Sequence, residues 1–110
     1  MKTIPLIATA ALLLATAAPR LSAAAAESWA ASCKSCHGLD GAGHTKIASR
    51  LGVKDLTDAA YQKTFTDDAA FNDLKNGLVK DGKTKMKPFA EKFSDDELKA
   101  LVTYVRTLAK

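Results

Sequence analysis

Apolar positions recur most regularly near the C-terminus, where Leu98, Leu101, Val102, Val105 and Leu108 follow one another at three- and four-residue steps. That is the spacing of one helix face. Ser94 and Glu97 stand ahead of them as an S-x-x-E capping box, so the pattern predicts a helix opening at Ser94 with an apolar stripe that must lie on another element. Thr57 with Asp58, and Thr66 with Asp67 and Asp68, supply N-caps and acids at the positive end of a helix. They predict a short helix near Asp58 to Lys63 and a longer one near Asp67 to Asn76, which Gly77 ends. Glu27 to Cys36 is rich in Ala and predicts two to three helical turns that Gly38 stops; this helix bears Trp29 and is the natural partner for the last one. Gly38, Gly41 and Gly43 make "HGLDGAGHT" an irregular loop, and residues 79 to 93, "VKDGKTKMKPFAEKF", show neither period and predict a long loop. Strand signals are almost absent and no repeat interrupts the chain, so the pattern predicts one small helical domain.

The N-terminus follows a different pattern. After Lys2, residues Ile4 to Ala18 carry no charge, and the small residues of "LSAAAAE" suit an A-x-A cleavage site. This reads as a secretory signal peptide over residues 1–26, cut before Glu27. A membrane span needs ~20 apolar residues, whereas Pro5 and the Pro19-Arg20 pair bound this stretch. A lipoprotein signal would be processed directly before Cys33, where Ala-Ala-Ser is a poor match. The exported domain, 27–110, has 84 residues, a size at which a hydrophobic core alone is marginal and something else is expected to complete it. Losing Lys2 and Arg20 leaves 14 basic residues against 12 acidic ones, so the net charge falls from +4 to about +2. The basic residues are spread among acids and few aromatics accompany them, which excludes a nucleic-acid binder. The expectation is a soluble protein, periplasmic or otherwise extracytoplasmic, with no membrane span after cleavage.

Both cysteines and one of the two histidines fall within "CKSCH", Cys33 to His37. A redox-active C-x-x-C dithiol belongs on a βαβ framework that this chain lacks. Zinc would have to be held by Cys33, Cys36, His37 and His44 inside twelve residues, leaving the rest of the chain unexplained. C-x-x-C-H is also the attachment pattern for c-type haem. Two thiols three positions apart lie on nearly the same side of a helical turn, so both can bond one porphyrin, and His37 then projects towards the iron as an axial ligand. The export signal would deliver the motif to an oxidising compartment. For the sixth iron position, Met86 is the only methionine after cleavage and stands in a lysine-flanked loop, "KMKPF", where an apolar side chain needs an apolar partner. His44, seven residues past His37, is too near to reach the opposite haem face easily. The bland readings are a core gap-filler for Met86 and a solvated loop residue for His44.

Taken together, "SCKSCHGLDGAG", "TKMKPF" and "FSDDELKALVTYVRTL" resemble a small soluble monohaem class I cytochrome c over essentially all of residues 27–110. The resemblance implies an all-α fold of three to five helices wrapped around one covalent haem c per chain, with the N- and C-terminal helices crossing. It implies thioether attachment at Cys33 and Cys36 and axial ligation by His37 and Met86. Trp29 matches the family's aromatic position four residues before the first cysteine, and Leu101 with Tyr104 its L-x-x-Y. Two features depart from the family: Ala25 stands where many members have Gly, and no proline follows the motif to set the acceptor of the proximal histidine's ring N–H, so a carbonyl between Gly41 and Leu51 is expected in that role.

A haem with both axial positions filled has no place for substrate. The expected function is therefore that of a monomeric one-electron carrier, not an enzyme, whose partners are redox proteins such as a membrane oxidase, reductase or dehydrogenase. Lys80, Lys83, Lys85, Lys87 and Lys92 could steer docking to an acidic partner, although Asp81 and Glu91 interrupt them. The rivals are a haem enzyme or gas sensor in which Met86 leaves the iron open, and a dedicated electron-entry subunit of one oxidoreductase.

Overall fold

The computed structural model describes residues 18–110 and, ahead of them, 2, 3, 5 and 9–11. Much of the expected leader lies outside the described residues, but its last part is helical. Helix α1 runs Ala18–Ser32, starting well before the predicted Glu27. The run Ala23 to Ala26 has the highest helix propensity, and it has a face to bury. Ala25 is only 4% exposed and packs in one cluster with Phe89, Leu98 and Leu101. Cys33 then separates α1 from α2, Lys34–His37. Helical hydrogen bonds continue across the junction: the Cys33 amide donates to the Trp29 carbonyl at 2.9 Å and the His37 amide to the Cys33 carbonyl at 3.0 Å.

Helix α3, Lys46–Leu51, was not expected; Thr45 caps it by accepting from the Ala48 amide at 2.9 Å, and Gly52 closes it in the left-handed conformation. The helices predicted from their caps all form: α4, Ala59–Gln62, capped by Asp58 rather than the expected Thr57, which bonds Asp55 instead; α5, Asp67–Asn76, behind Thr66; and α6, Asp95–Thr107, behind Ser94. Both bonds of the capping box are made, Ser94 to the Glu97 amide and Glu97 to the Ser94 amide.

The all-α expectation needs correcting. Within the predicted loop, β1, Leu78–Lys80, and β2, Lys83–Met86, pair antiparallel. Asp81 and Gly82 form the two-residue turn with φ of 53° and 72°, the geometry for which Asp-Gly is preferred in hairpins. The strands are short and mostly exposed, Leu78 and Val79 of β1 included, so backbone pairing and the turn form them without burying a hydrophobic face.

Helices α1 and α5 both pack on α6. Leu98 and Leu101 of α6 join Ala25 and Phe89 in the core, with Phe71, Leu74, Met86, Phe93, Ala100 and Tyr104 packed around them. A polar clamp fixes the other end of α6. Buried Gln62 donates from Nε2 to the carbonyls of Leu56 and Val105, both at 2.8 Å. Arg106 donates to the Gln62 carbonyl, to Gln62 Oε1 at 3.0 Å, to the Phe65 carbonyl at 2.8 Å and to Asp67 Oδ1 at 2.8 Å. The C-terminus closes over the loop after the motif: Leu108 lies where any side chain at Gly41 would have to go, 2.7 Å from the position of a Cβ there.

Candidate haem site

Cys33 and Cys36 are free thiols at the α1–α2 junction, Cys33 buried and Cys36 half-buried. Burial pushes the Cys33 thiol up to about 11, with the positive charge of Lys92 pulling the other way. Among the described residues no three His, Cys, Asp or Glu side chains converge on one point, so the donors that a structural zinc requires are not assembled.

His37 packs its ring against Trp29, centroid to centroid 5.4 Å. Trp29, in turn, lies 5.6 Å from the Tyr104 ring of α6. The Trp29 indole N–H is shared between the Gly38 carbonyl at 3.2 Å and the Leu39 carbonyl at 3.0 Å, which ties the exit of the motif back to α1. Thr45 donates to the Cys36 carbonyl at 2.7 Å and the Gly43 amide to the His37 carbonyl at 2.8 Å. The backbone of the motif is therefore held from both sides. Its histidine is not: His37 Nδ1 is buried without a hydrogen-bond partner. The acceptor expected between Gly41 and Leu51 does not reach it. Burial also holds the His37 pKa below its ordinary value, so the imidazole is neutral and its nitrogen lone pair is free to bind a metal.

Met86 ends β2, half-buried, and packs on the cluster of Phe89, Leu98 and Leu101. Its segment is tied to α5 by the Phe89 amide, which donates to the Leu74 carbonyl at 2.9 Å. His44 is exposed, beside Gly38, Leu39 and Asp40. Trp29 and Tyr104 thus link the His37 side of the site to the α6 core on which Met86 packs. The indole's shared hydrogen bond and the Thr45 hydroxyl escaped sequence reasoning, since both depend on how the glycine loop folds back.

A family model described as cytochrome c oxidase, cbb3-type, subunit III matches residues 21–105. The chain belongs to this cytochrome c family. Two solved structures are similar to this cytochrome. The KustC0563 c-type cytochrome is 32% identical, with 78% of this chain and 98% of that one covered and a TM-score of 0.67. A point mutant of the same protein, also 32% identical, covers 76% and 96% with a TM-score of 0.64. No curated protein matches. A c-type cytochrome domain carries covalently bound haem c and transfers electrons. The donor set fits that group: two free thiols on one turn, a neutral buried imidazole with an unpartnered nitrogen, and a thioether set against the core.

Proposed function

We propose that this cytochrome is an exported monohaem carrier, with one haem c attached through Cys33 and Cys36 and held axially by His37 and Met86. When bound, haem c supplies reversible one-electron Fe(II)/Fe(III) chemistry, and a methionine ligand raises its potential relative to a second nitrogen ligand. The observation that carries the reading is the pair of free thiols, Cys33 and Cys36, at the α1–α2 junction with His37 next in sequence, its buried, neutral ring packed on Trp29. Trp29 and Thr45 orient the motif, and Met86, as the second iron ligand, would keep substrates and diatomic ligands off the metal. A membrane oxidase fits best as the electron acceptor, since the matching family model describes an oxidase subunit. The same observation favours a second reading, a dedicated electron-entry subunit, which co-purification with a membrane complex would distinguish from a free carrier.

Expression with a haem-attachment system tests the assignment. The intact mass should exceed the processed polypeptide by one haem, and the colour should survive acid-acetone extraction. Cys33→Ala with Cys36→Ala should yield colourless or unstable protein. Met86→Ala should remove the weak far-red sulfur-to-iron band of the oxidised protein, lower the potential and admit carbon monoxide to the reduced one. A wild type that binds carbon monoxide at once would favour an enzyme or sensor instead, and loss of the low-spin spectrum on His44→Ala, with Met86→Ala unchanged, would make His44 the ligand.

A further inference from the structure

Gly77 ends α5 and opens β1, with φ of 79° and ψ of 174°. Only glycine adopts that region without strain. What lies against it is equally restrictive. A Cβ at Gly77 would stand 2.8 Å from the Met86 carbonyl oxygen, 2.9 Å from the Pro88 nitrogen and 3.0 Å from Pro88 Cδ. Two of these three are backbone atoms, which cannot swing aside as the end of a flexible side chain can. Leu78 pairs with Met86 in the hairpin register, and the Phe89 amide bonds the Leu74 carbonyl on α5. The strand that delivers Met86 is therefore closed onto the end of α5 at a spacing that a bare glycine permits.

We propose that Gly77 is the positioning residue for Met86: its missing side chain lets the base of the hairpin close on α5, and this closure sets where the Met86 sulfur is presented to the haem. The inference rests on Met86 as the axial ligand. Adding one carbon at residue 77 pushes the Met86–Pro88 backbone outward, and the sulfur moves with it.

Gly82 provides the control. It lies at the tip of the same hairpin with φ of 72°, but nothing stands within 4 Å of where its Cβ would be. Gly77→Ala and Gly82→Ala both place a side chain at positive φ, and only the first meets the Met86 backbone. In the holoprotein, Gly77→Ala should weaken the far-red band, lower the potential and speed carbon monoxide binding by about tenfold or more, equivalent to about 1.4 kcal/mol against the ligated state. Gly82→Ala should retain wild-type values for all three. Pro88→Ala approaches the contact from the other side without straining residue 77, and a shift of the same sign but smaller size is expected there.

A Gly77→Ala protein with unchanged band, potential and carbon monoxide exclusion overturns the proposal, even if it melts earlier. So does an equal effect from Gly82→Ala, which would assign the change to hairpin strain alone. Should Gly77→Ala not accumulate alone, the Gly77→Ala/Pro88→Ala pair, which removes Pro88 Cδ but keeps the two backbone clashes, takes its place, and an unchanged band, potential and carbon monoxide exclusion there overturns the proposal. A wild type without the far-red band, or an unchanged Met86→Ala spectrum, removes the axial reading itself, and the role of Gly77 falls with it.

Discussion

Burial decides the state of His37. Taking the ring out of water disfavours the imidazolium, so its pKa lies below the ordinary 6.5. The sign follows directly: an unfolded chain takes up the proton first, so the stabilisation from this ring is present above pH 6.5 and is lost as pH falls through the lower, folded value. In a holoprotein whose iron is held by His37, a proton would have to displace the metal from the ring, so acid titration of the oxidised protein, followed by absorbance, should keep the low-spin spectrum at pH 6.5 and lose it only at lower pH. A midpoint at or above 6.5 would count against His37 as an iron ligand. At this scale Cys33, Cys36 and His37 stand out in the sequence as candidates because their spacing places them within one helical turn. The partners of Trp29 and Thr45 were not, since residues nine and ten positions apart meet only after the glycine loop has turned back.

Caps made α4, α5 and α6 readable as elements, because an N-cap is a local contract between a side chain and the next two or three amides. The hairpin has no cap and its one local signal is the Asp81-Gly82 turn, while α3 has a Thr45 cap like the others but in a stretch whose glycines read as loop, so neither was expected. The Gln62 clamp was equally hidden: its partners lie on two other segments, and a glutamine in a short amphipathic stretch looks like a surface residue. Gln62→Leu keeps the volume but leaves the Leu56 carbonyl without its donor and Arg106 without one acceptor. Its cost should be about 1–3 kcal/mol, which lowers Tm by roughly 5–15 °C in a domain of this size. Thermal unfolding followed by far-UV circular dichroism measures it, and the haem spectrum should be unchanged at 25 °C because the clamp lies at the other end of α6 from the core that holds Met86.

At the scale of the molecule, the packing of α1 on α6 also bears on how the polypeptide is matured. Ala25 is as much a core residue as Leu101, and the family match begins at residue 21. A peptidase that cut before Glu27 would carry Ala25 away with the leader and leave only Glu27–Ser32 of the helix to lie against α6. Two holoproteins exported on the same foreign leader, one beginning at Ala18 and one at Glu27, should therefore differ in Tm by at least about 4–8 °C, the shift given by about 1 kcal/mol in a domain of this size, the longer being the more stable. Edman sequencing of the native protein should find a first residue no later than Leu21. If it finds Glu27, and the two forms melt together, the first turns of α1 belong to the export signal alone. A start at or before Leu21 with the longer form melting higher would mean that the helix turns holding Ala25 serve the folded domain as well as the leader.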